Sequence, residues 1–425
     1  MRLTRYLLIF SVLLITSFGY AQTLKTDVMV VGGTQSGVAA AIQAAHSGVK
    51  TLLLLETNEF VKNFSTPLDT GFFSGIQISF LNTSLKIRRD TLSGVVAPLT
   101  QSVVQSTLKG WTDTIKNLTV LPNVAWQKIE RKGKDWEIKL KDGKTIKATV
   151  VVDATVGGTL ASRAGLITDP TTGYFKTVAT INQIDRLNPY NNKLYRTAVG
   201  IGSSERNSPF IIPLGSLIAL GVDNFILAGK LPSLVSAKNL EKGTMELGQA
   251  AGASAAYCAF FKTTTQSLNV RVIQGELFAY KSWLVPFRDI FPTDSNFLAI
   301  EQIAVSGLLK GKFVKKQLFF EPDSLVSIED LRIPMREFYT RSQLWFADNK
   351  DVQFTVGTFL SLIKFAASRG AELDREVEKA WKTSFKFTSD YDPKRLITKR
   401  ELAVLANAYL KPFNTRVDLS GNLIN

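Results

Sequence analysis

The chain has 425 residues, 45% of them hydrophobic and 20% charged, which excludes a disordered protein and suffices for two or three domains with a large core. Lysine and arginine number 51 against 36 aspartate and glutamate, giving a formal net charge of +15. These basic residues form no clustered stripe with interleaved aromatic residues, so they indicate a diffusely basic surface and not a nucleic-acid site.

The N-terminus has the pattern of a secretory signal peptide. Two arginines precede an apolar segment at residues 6–18, and small residues up to Ala21 suit cleavage before Gln22. A membrane anchor is the alternative, but this segment is shorter than the roughly 20 residues that cross a bilayer as a helix. We therefore expect residues 1–21 to be removed and the rest to be exported to the periplasm or beyond, with no membrane span and no lipid anchor.

Residues 27–56 contain every part of a dinucleotide-binding βαβ unit. An apolar run at 28–31 predicts a strand, and the glycine turn after it leads into a small-residue helix, at whose start a pyrophosphate is stabilised. A second predicted strand, 50–55, ends in Glu56, about 20 residues past the glycines, where an acid accepts hydrogen bonds from ribose hydroxyls. The pattern points to a flavin or nicotinamide cofactor, with an ordinary strand-to-helix turn as the alternative. The turn residues predicted to contact the cofactor are Gly32, Gly33, Thr34, Gln35, Ser36 and Gly37, with Thr34 at the second glycine position of GxGxxG.

A small cap is predicted from two insertions, residues 57–110 and 159–209. Within the first, the aromatic, glycine-containing stretch 71–84 suits either a wall of the pocket or an edge strand. The second is short and contains an asparagine-rich loop, so the cap is small.

Short strands are predicted at 118–121, 124–130 and 136–140, and an Asp-Gly hairpin turn leads into 145–152. Together they suggest a three-stranded meander. The last strand ends in Asp153 before a glycine turn, which is typical of a ligand-facing crossover, with a plain β-turn as the alternative.

These segments resemble the FAD-dependent oxidoreductases with two dinucleotide-binding domains, of the glutathione-reductase-like type. Matching stretches, in the family's order, are GGTQSGVAAAIQAA, the strand ending in Glu56, VVVDATVGGTLASRAGL, FIIPLGSLIALGVDNFILAGKLPS and GTMELGQAAGASAAY. The resemblance implies an α/β fold with a Rossmann-like FAD-binding domain at residues 22–282 and noncovalently bound FAD. It also implies a last helix whose amino end lies against the flavin. Further cofactor contacts implied by the resemblance are Asp153, Ala154, Thr155, Gly229, Gln249, Ala250 and Ala251.

The residues name no catalytic base. Cys258 is the only cysteine and His46 the only histidine, which argues against a Ser-His-Asp triad, a Cys-His pair and a histidine-rich metal site, so a cofactor must carry the chemistry. Lys230, which stands where the family has an arginine, and Arg206 are weak candidates for orienting an anionic substrate or stabilising flavin charge; a solvated surface role is the alternative. His46 is expected to be partly exposed near a helix end.

Residues 283–425 are predicted to form a separate helical region. Helical periodicity covers 297–309 up to Gly311, and Ser327 and the polar residues from 395 precede further helices. Two stretches resemble diverged S-layer-homology repeats, which implies binding to a cell-envelope polymer; helices that merely cover the flavin domain are the alternative.

The sequence as a whole predicts an exported oxidoreductase that transfers a hydride or electrons between FAD and a small organic substrate. The rival interpretation is a catalytically degenerate flavin-fold protein that acts as an envelope binding or scaffold protein. The residues identify neither the substrate nor the electron acceptor.

Overall fold

The computed structural model describes residues 23–61, 64, 74–88, 99–169, 175–179, 188–203, 209–229, 244–315 and 317–424. Over these residues the protein is an α/β fold in which a mixed seven-stranded sheet is packed by helices and followed by a helical C-terminal region. The predicted signal peptide and the candidates Lys230 and Arg206 lie outside the described residues.

The strands of the first half of the chain form one sheet and one hairpin. They are β1 Thr23–Val31, β2 Thr51–Leu54, β3 Leu118–Leu121, β4 Trp126–Lys132, β5 Asp135–Leu140, β6 Thr145–Asp153, β7 Ala198–Ser203, β8 Pro209–Pro213 and β9 Phe225–Leu227. The sheet has the order β3-β2-β1-β6-β5-β4, with β9 paired to β6, and β7 and β8 pair only with each other in the described chain.

Parallel and antiparallel pairing divide this sheet. The parallel pairs are β3–β2, β2–β1, β1–β6 and β6–β9. The antiparallel pairs are β4–β5 and β5–β6, which form the predicted meander. The structure places the predicted strand 118–121 away from the meander, beside β2 at the opposite edge. A helix at 101–114 precedes it and supplies the crossover that a parallel pair requires.

The helices of this half pack around the sheet. One result rules out an alternative left open by the sequence, since the described part of 71–84 is helical and not an edge strand. Its buried residues Ile76, Phe80, Leu81 and Leu85 recur at helical spacing. A role of this segment as a wall of the pocket stays a prediction. The helices are α1 Gln35–His46, α2 Gly75–Arg88, α3 Gln101–Thr114, α4 Thr159–Arg163, α5 Thr244–Phe260 and α6 Val270–Ala279.

The C-terminal region is mainly helical, as predicted. Its first helix is shorter than the pattern 297–309 suggested, because Gly307 takes a left-handed φ of 88° and ends the helix at Ser306. The elements are α7 Phe297–Ser306, β10 Lys312–Val314, β11 Gln317–Phe319, α8 Ile328–Phe338, α9 Ser342–Asp348, α10 Val356–Ala367, α11 Glu372–Thr383, α12 Lys399–Leu405, β12 Arg416–Val417 and β13 Leu423–Ile424.

Three short extended segments, 325–327, 353–355 and 396–398, repeat within this region. Each ends in a hydroxyl residue whose side chain caps the next helix: Ser327 caps α8, Thr355 caps α10 and Thr398 caps α12. Single β-bridges join the three segments to one another. The sequence had indicated two of these units; the middle one was missed. The resemblance to S-layer-homology repeats stays a prediction.

One apolar core continues from the sheet into the C-terminal helices. It includes Val28 and Val30 on one face of β1 as well as Phe359 of α10 and Leu402 of α12. A second cluster covers the other face of the sheet. No helix in the described ranges has both the length and the apolar character needed to cross a bilayer.

Candidate functional site

The turn between β1 and α1 leaves no room for side chains at two glycines. Gly32 has a left-handed φ of +116°, and a Cβ there would lie 2.3 Å from the Ala154 carbonyl oxygen. A Cβ on Gly37 would lie 2.0 Å from the carbonyl oxygen of Gly32. The start of α1 therefore rests on the end of β1, and its amino end lies at the edge where the parallel strands end, as a pyrophosphate site requires.

Thr34 ties this turn to the neighbouring crossover. Its hydroxyl accepts a hydrogen bond from the Gly37 amide over 3.2 Å, which caps α1, and donates one to the Ala154 carbonyl oxygen over 3.0 Å. The Ser36 hydroxyl lies 3.1 Å away. A glycine could make none of these side-chain bonds, which explains physically why threonine suits this position.

Asp153 organises the turn after β6. Its buried carboxylate accepts hydrogen bonds from the Thr155 amide at 2.9 Å, the Thr155 hydroxyl at 2.6 Å and the Ala161 amide at 2.8 Å. Burial raises the pKa of this carboxyl, and the bonds from Thr155 oppose that shift. Since these partners belong to its own turn, Asp153 shapes the crossover, and its direct contact with a cofactor stays a prediction.

The end of β9 meets the same turn. A Cβ on Gly229 would lie 2.3 Å from the Thr155 carbonyl oxygen, and the Gly229 amide donates to the Asp153 carbonyl oxygen over 2.8 Å. The structure therefore brings the predicted residues Gly32, Ala154, Thr155 and Gly229 together where β1, β6 and β9 end.

A cleft of about 470 Å³ opens beside Glu56, whose exposed side chain follows β2. This volume is in the range of small-ligand pockets. Trp126 provides an aromatic surface and Arg163 and Lys141 provide positive charge. Sequence reasoning missed these three residues, because they come from separate parts of the chain. The other lining residues are Val124, Ala125, Thr159 and Ser162.

These residues fit a dinucleotide. The cleft at Glu56 can take a nucleoside, and the glycine turn one strand away leads into the amino end of α1, which suits a pyrophosphate. A ligand that spans both positions continues toward β6 and β9, since the sheet order is β2-β1-β6. Its second half would therefore lie on the side of Gly229.

The amino end of α5 reaches the same edge of the sheet. A Cβ on Gly248 would lie 2.1 Å from the Ser36 carbonyl oxygen, and one on Gly252 would lie 2.3 Å from the Ala40 carbonyl oxygen. The second contact lies four residues further along each helix than the first. α1 and α5 therefore run in the same direction, and their backbones are in contact. The small residues of both helices permit this approach.

Gln249, Ala250 and Ala251 are buried in the second turn of α5, where backbone N–H groups bond to carbonyls one turn earlier. The Gln249 side chain accepts from the Ile76 amide over 3.0 Å and donates to Gln43 over 2.9 Å. These bonds fix α2 against α1 and α5. Contact of residues 249–251 with a flavin stays a prediction.

Sequence reasoning also missed a buried acid at this edge. Glu246 lies in the first turn of α5 and is 5% exposed. Burial raises its pKa from 4.5 to about 8. The sequence feature that could have indicated this buried acid is a single glutamate within a run of small and apolar residues.

The only histidine and the only cysteine lie away from this edge. His46 is the exposed last residue of α1, as predicted. Cys258 is buried near the far end of α5, and burial raises the pKa of its thiol to about 12, which keeps the sulfur in its unreactive form.

The fold and this edge define an α/β dinucleotide-binding protein. The FAD-dependent oxidoreductase family matches residues 27–173 and 181–277, more than half of the chain. The chain therefore belongs to that family, with FAD as the cofactor. This confirms the cofactor and enzyme class that the sequence resemblance implied.

Solved structures share parts of the fold. A flavoprotein/dehydrogenase from Cytophaga hutchinsonii is 15% identical, with 56% of this chain and 79% of that chain covered and a TM-score of 0.35. The bacillithiol disulfide reductase from Staphylococcus aureus is 17% identical, with 31% and 38% covered and a TM-score of 0.22. The flavin-containing monooxygenase from Stenotrophomonas maltophilia is 21% identical, with the same coverage and TM-score. This chain thus spans well under half the length of the latter two proteins. No curated protein matches the chain.

Proposed function

We propose that this protein is an exported enzyme that transfers a hydride or electrons between FAD and a small organic substrate. The observation that carries the proposal is the meeting of β1, β6 and β9 at one edge of the sheet, together with the amino ends of α1 and α5. Ligands of open α/β sheets bind at such an edge. Export rests on the N-terminal sequence pattern.

FAD supplies the two-electron chemistry when it is bound. Glu56 would accept hydrogen bonds from the adenosine ribose, and the amino end of α1 would hold the pyrophosphate. The backbone at Ala154 and Gly229 would lie close to the remainder of the cofactor, since both residues stand where β6 and β9 end side by side. The positive end of the α5 dipole favours the negative charge that reduction adds.

A spectroscopic experiment tests this function. Protein purified from the exported fraction should show the absorbance of bound flavin, and anaerobic screening of alcohols, amines, sugars and acids should find a compound that bleaches it. Lys230→Ala should slow the bleaching with FAD still bound, whereas Lys262→Ala, an exposed control in the turn just after α5, should not. If no compound bleaches a flavin that dithionite does reduce, the scaffold interpretation replaces the enzyme.

The threefold repeat of capped helices supports a second proposal, that the C-terminal region binds a cell-envelope polymer. Co-sedimentation of the full protein with purified cell-wall sacculi tests it at low and high salt. Specific binding should persist at high salt, while attraction by the diffuse positive charge should be lost by screening. Loss of all binding at high salt would contradict the proposal.

A further inference from the structure

Two adjacent phenylalanines are exposed where α5 ends. Phe260, the last residue of α5, is 66% exposed, and Phe261 in the following turn is 56% exposed. Their ring centroids are 5.0 Å apart, and the Tyr257 ring lies 4.7 Å from that of Phe261. Single apolar side chains are common on protein surfaces, but rings in mutual contact form a continuous apolar patch, which indicates a binding surface. We call these three residues the aromatic tip.

The aromatic tip lies at the end of the molecule opposite the cofactor edge. α1 and α5 run in the same direction from that edge, so α5 ends where the parallel strands begin. The loop after the tip is fixed there, immediately before β9. The Asn224 amide donates to the Thr265 hydroxyl over 3.0 Å, and the Thr265 amide donates to the Asn224 side chain over 3.1 Å. A partner bound at the tip would therefore leave the cofactor edge open.

The backbone and the charge of the tip suit an environment with little water. The amides of Phe261 and Thr263 donate to carbonyl oxygens in the last turn of α5, each over 3.0 Å. Lys262 is the only charged residue in the stretch 257–269. Its long side chain can keep the ammonium group among polar headgroups while the adjacent rings lie deeper. Few polar groups of the tip would therefore have to give up water without a partner.

The size of the patch argues against a second copy of this chain as the partner. Aromatic side chains bury about 150–250 Å² each, so the exposed fractions of Phe260 and Phe261 provide about 250 Å² on one copy. Two copies would bury about 500 Å² there, about half of the ~1,000 Å² that a specific interface needs. Two strongly basic copies would also repel each other. A bilayer surface needs no such area, since a few inserted side chains suffice, and anionic lipids attract the positive charge.

We propose that the aromatic tip inserts into the surface of a lipid bilayer that contains anionic lipid, and that it holds the protein there with the cofactor edge facing away. This goes beyond the proposed function and involves no flavin chemistry. The proposed export agrees with it, because the apolar segment 6–18 precedes β1, which begins at the same end of the sheet as the tip.

Co-sedimentation of the full protein with vesicles of phosphatidylethanolamine and phosphatidylglycerol tests the proposal at low and high salt. The wild type should bind at both, because salt screens the diffuse charge but not the insertion of the rings. The double variant Phe260→Ser, Phe261→Ser should bind about tenfold more weakly or less at high salt. The matched control Ile333→Ser, Val352→Ser removes side chains that are 70% and 80% exposed in the C-terminal region, and it should bind as the wild type does.

Both double variants replace exposed side chains, so their thermal unfolding should match that of the wild type. Equal vesicle binding of the wild type and the Phe260→Ser, Phe261→Ser variant at high salt would overturn the proposal, and so would loss of all wild-type binding at high salt. In Phe261→Trp, lipids brominated on their acyl chains should quench more of the tryptophan emission than in the wild type, and equal quenching would also overturn it. A lipid-free dimer that the phenylalanine variant abolishes would assign the surface to a second copy instead.

Discussion

Replacing Gly37 by valine tests the close contact on which the cofactor turn depends. The new Cβ would lie 2.0 Å from the Gly32 carbonyl oxygen and 2.9 Å from the Ala154 Cβ, whereas ordinary contact begins at 3.4 Å. The start of α1 must therefore move off β1 by more than about 1 Å, and crowding of this kind costs about 1–3 kcal/mol. Since about 1.4 kcal/mol is a factor of ten, FAD affinity should fall about tenfold or more.

Fluorescence titration of the apoprotein with FAD measures this loss, and thermal unfolding with and without FAD measures the change in stability. Gly110→Val is a matched control, because Gly110 is an exposed residue of α3 and a Cβ there meets nothing within 4 Å. The control should keep wild-type affinity. Wild-type FAD affinity in Gly37→Val would refute the reasoning about this turn.

Three further predictions follow from the same physical chemistry. Glu56→Ala should weaken FAD binding by about tenfold, the low end for a hydrogen bond to a charged group, and unchanged affinity in the same titration would remove Glu56 from the site. Mass spectrometry of the exported protein should find Gln22 as its first residue, and a chain that still begins with Met1 would contradict cleavage after Ala21. Burial raises the pKa of Glu301 from 4.5 to about 8, so the folded protein binds a proton that the unfolded chain releases between these values. Glu301 therefore makes the free energy of unfolding decrease as pH rises from about 4.5 to about 8. Denaturant titrations should find a smaller decrease over this pH range in Glu301→Gln. An identical decrease would show that Glu301 is ionised in the folded protein.

Features built from neighbouring residues were readable from the sequence. The strand, turn, helix, strand and acid of the βαβ unit lie within thirty consecutive residues, so their order and spacing were recognisable before any pairing partner was known. The cap at Ser327 was predicted for the same reason, since a cap residue bonds an amide three residues on. A polar cap was also predicted in the stretch from residue 395, and the structure identifies it as Thr398. The family resemblance extended these local patterns to FAD.

Contacts between distant segments were decided only by the tertiary structure. The sequence predicted strand 118–121 but not its pairing with β2. The aromatic, glycine-containing stretch 71–84 left an edge strand open as an alternative, whereas its described part is helix. Periodicity reports which face of a segment is buried, not which neighbour covers it.

The residues of the candidate site also fall into those that the sequence predicted and those that only the tertiary structure brought together. The sequence by itself predicted the glycine turn and Glu56 from one contiguous motif, and it identified the FAD-dependent class from five motifs in the family's order. Only the tertiary structure brought Trp126 and Arg163 to the cleft at Glu56, and only it closed Ser74 and Gln77 around Glu246. Burial of that acid results from packing between helices far apart in the chain, and desolvation, which sets its pKa, has no counterpart in the local sequence.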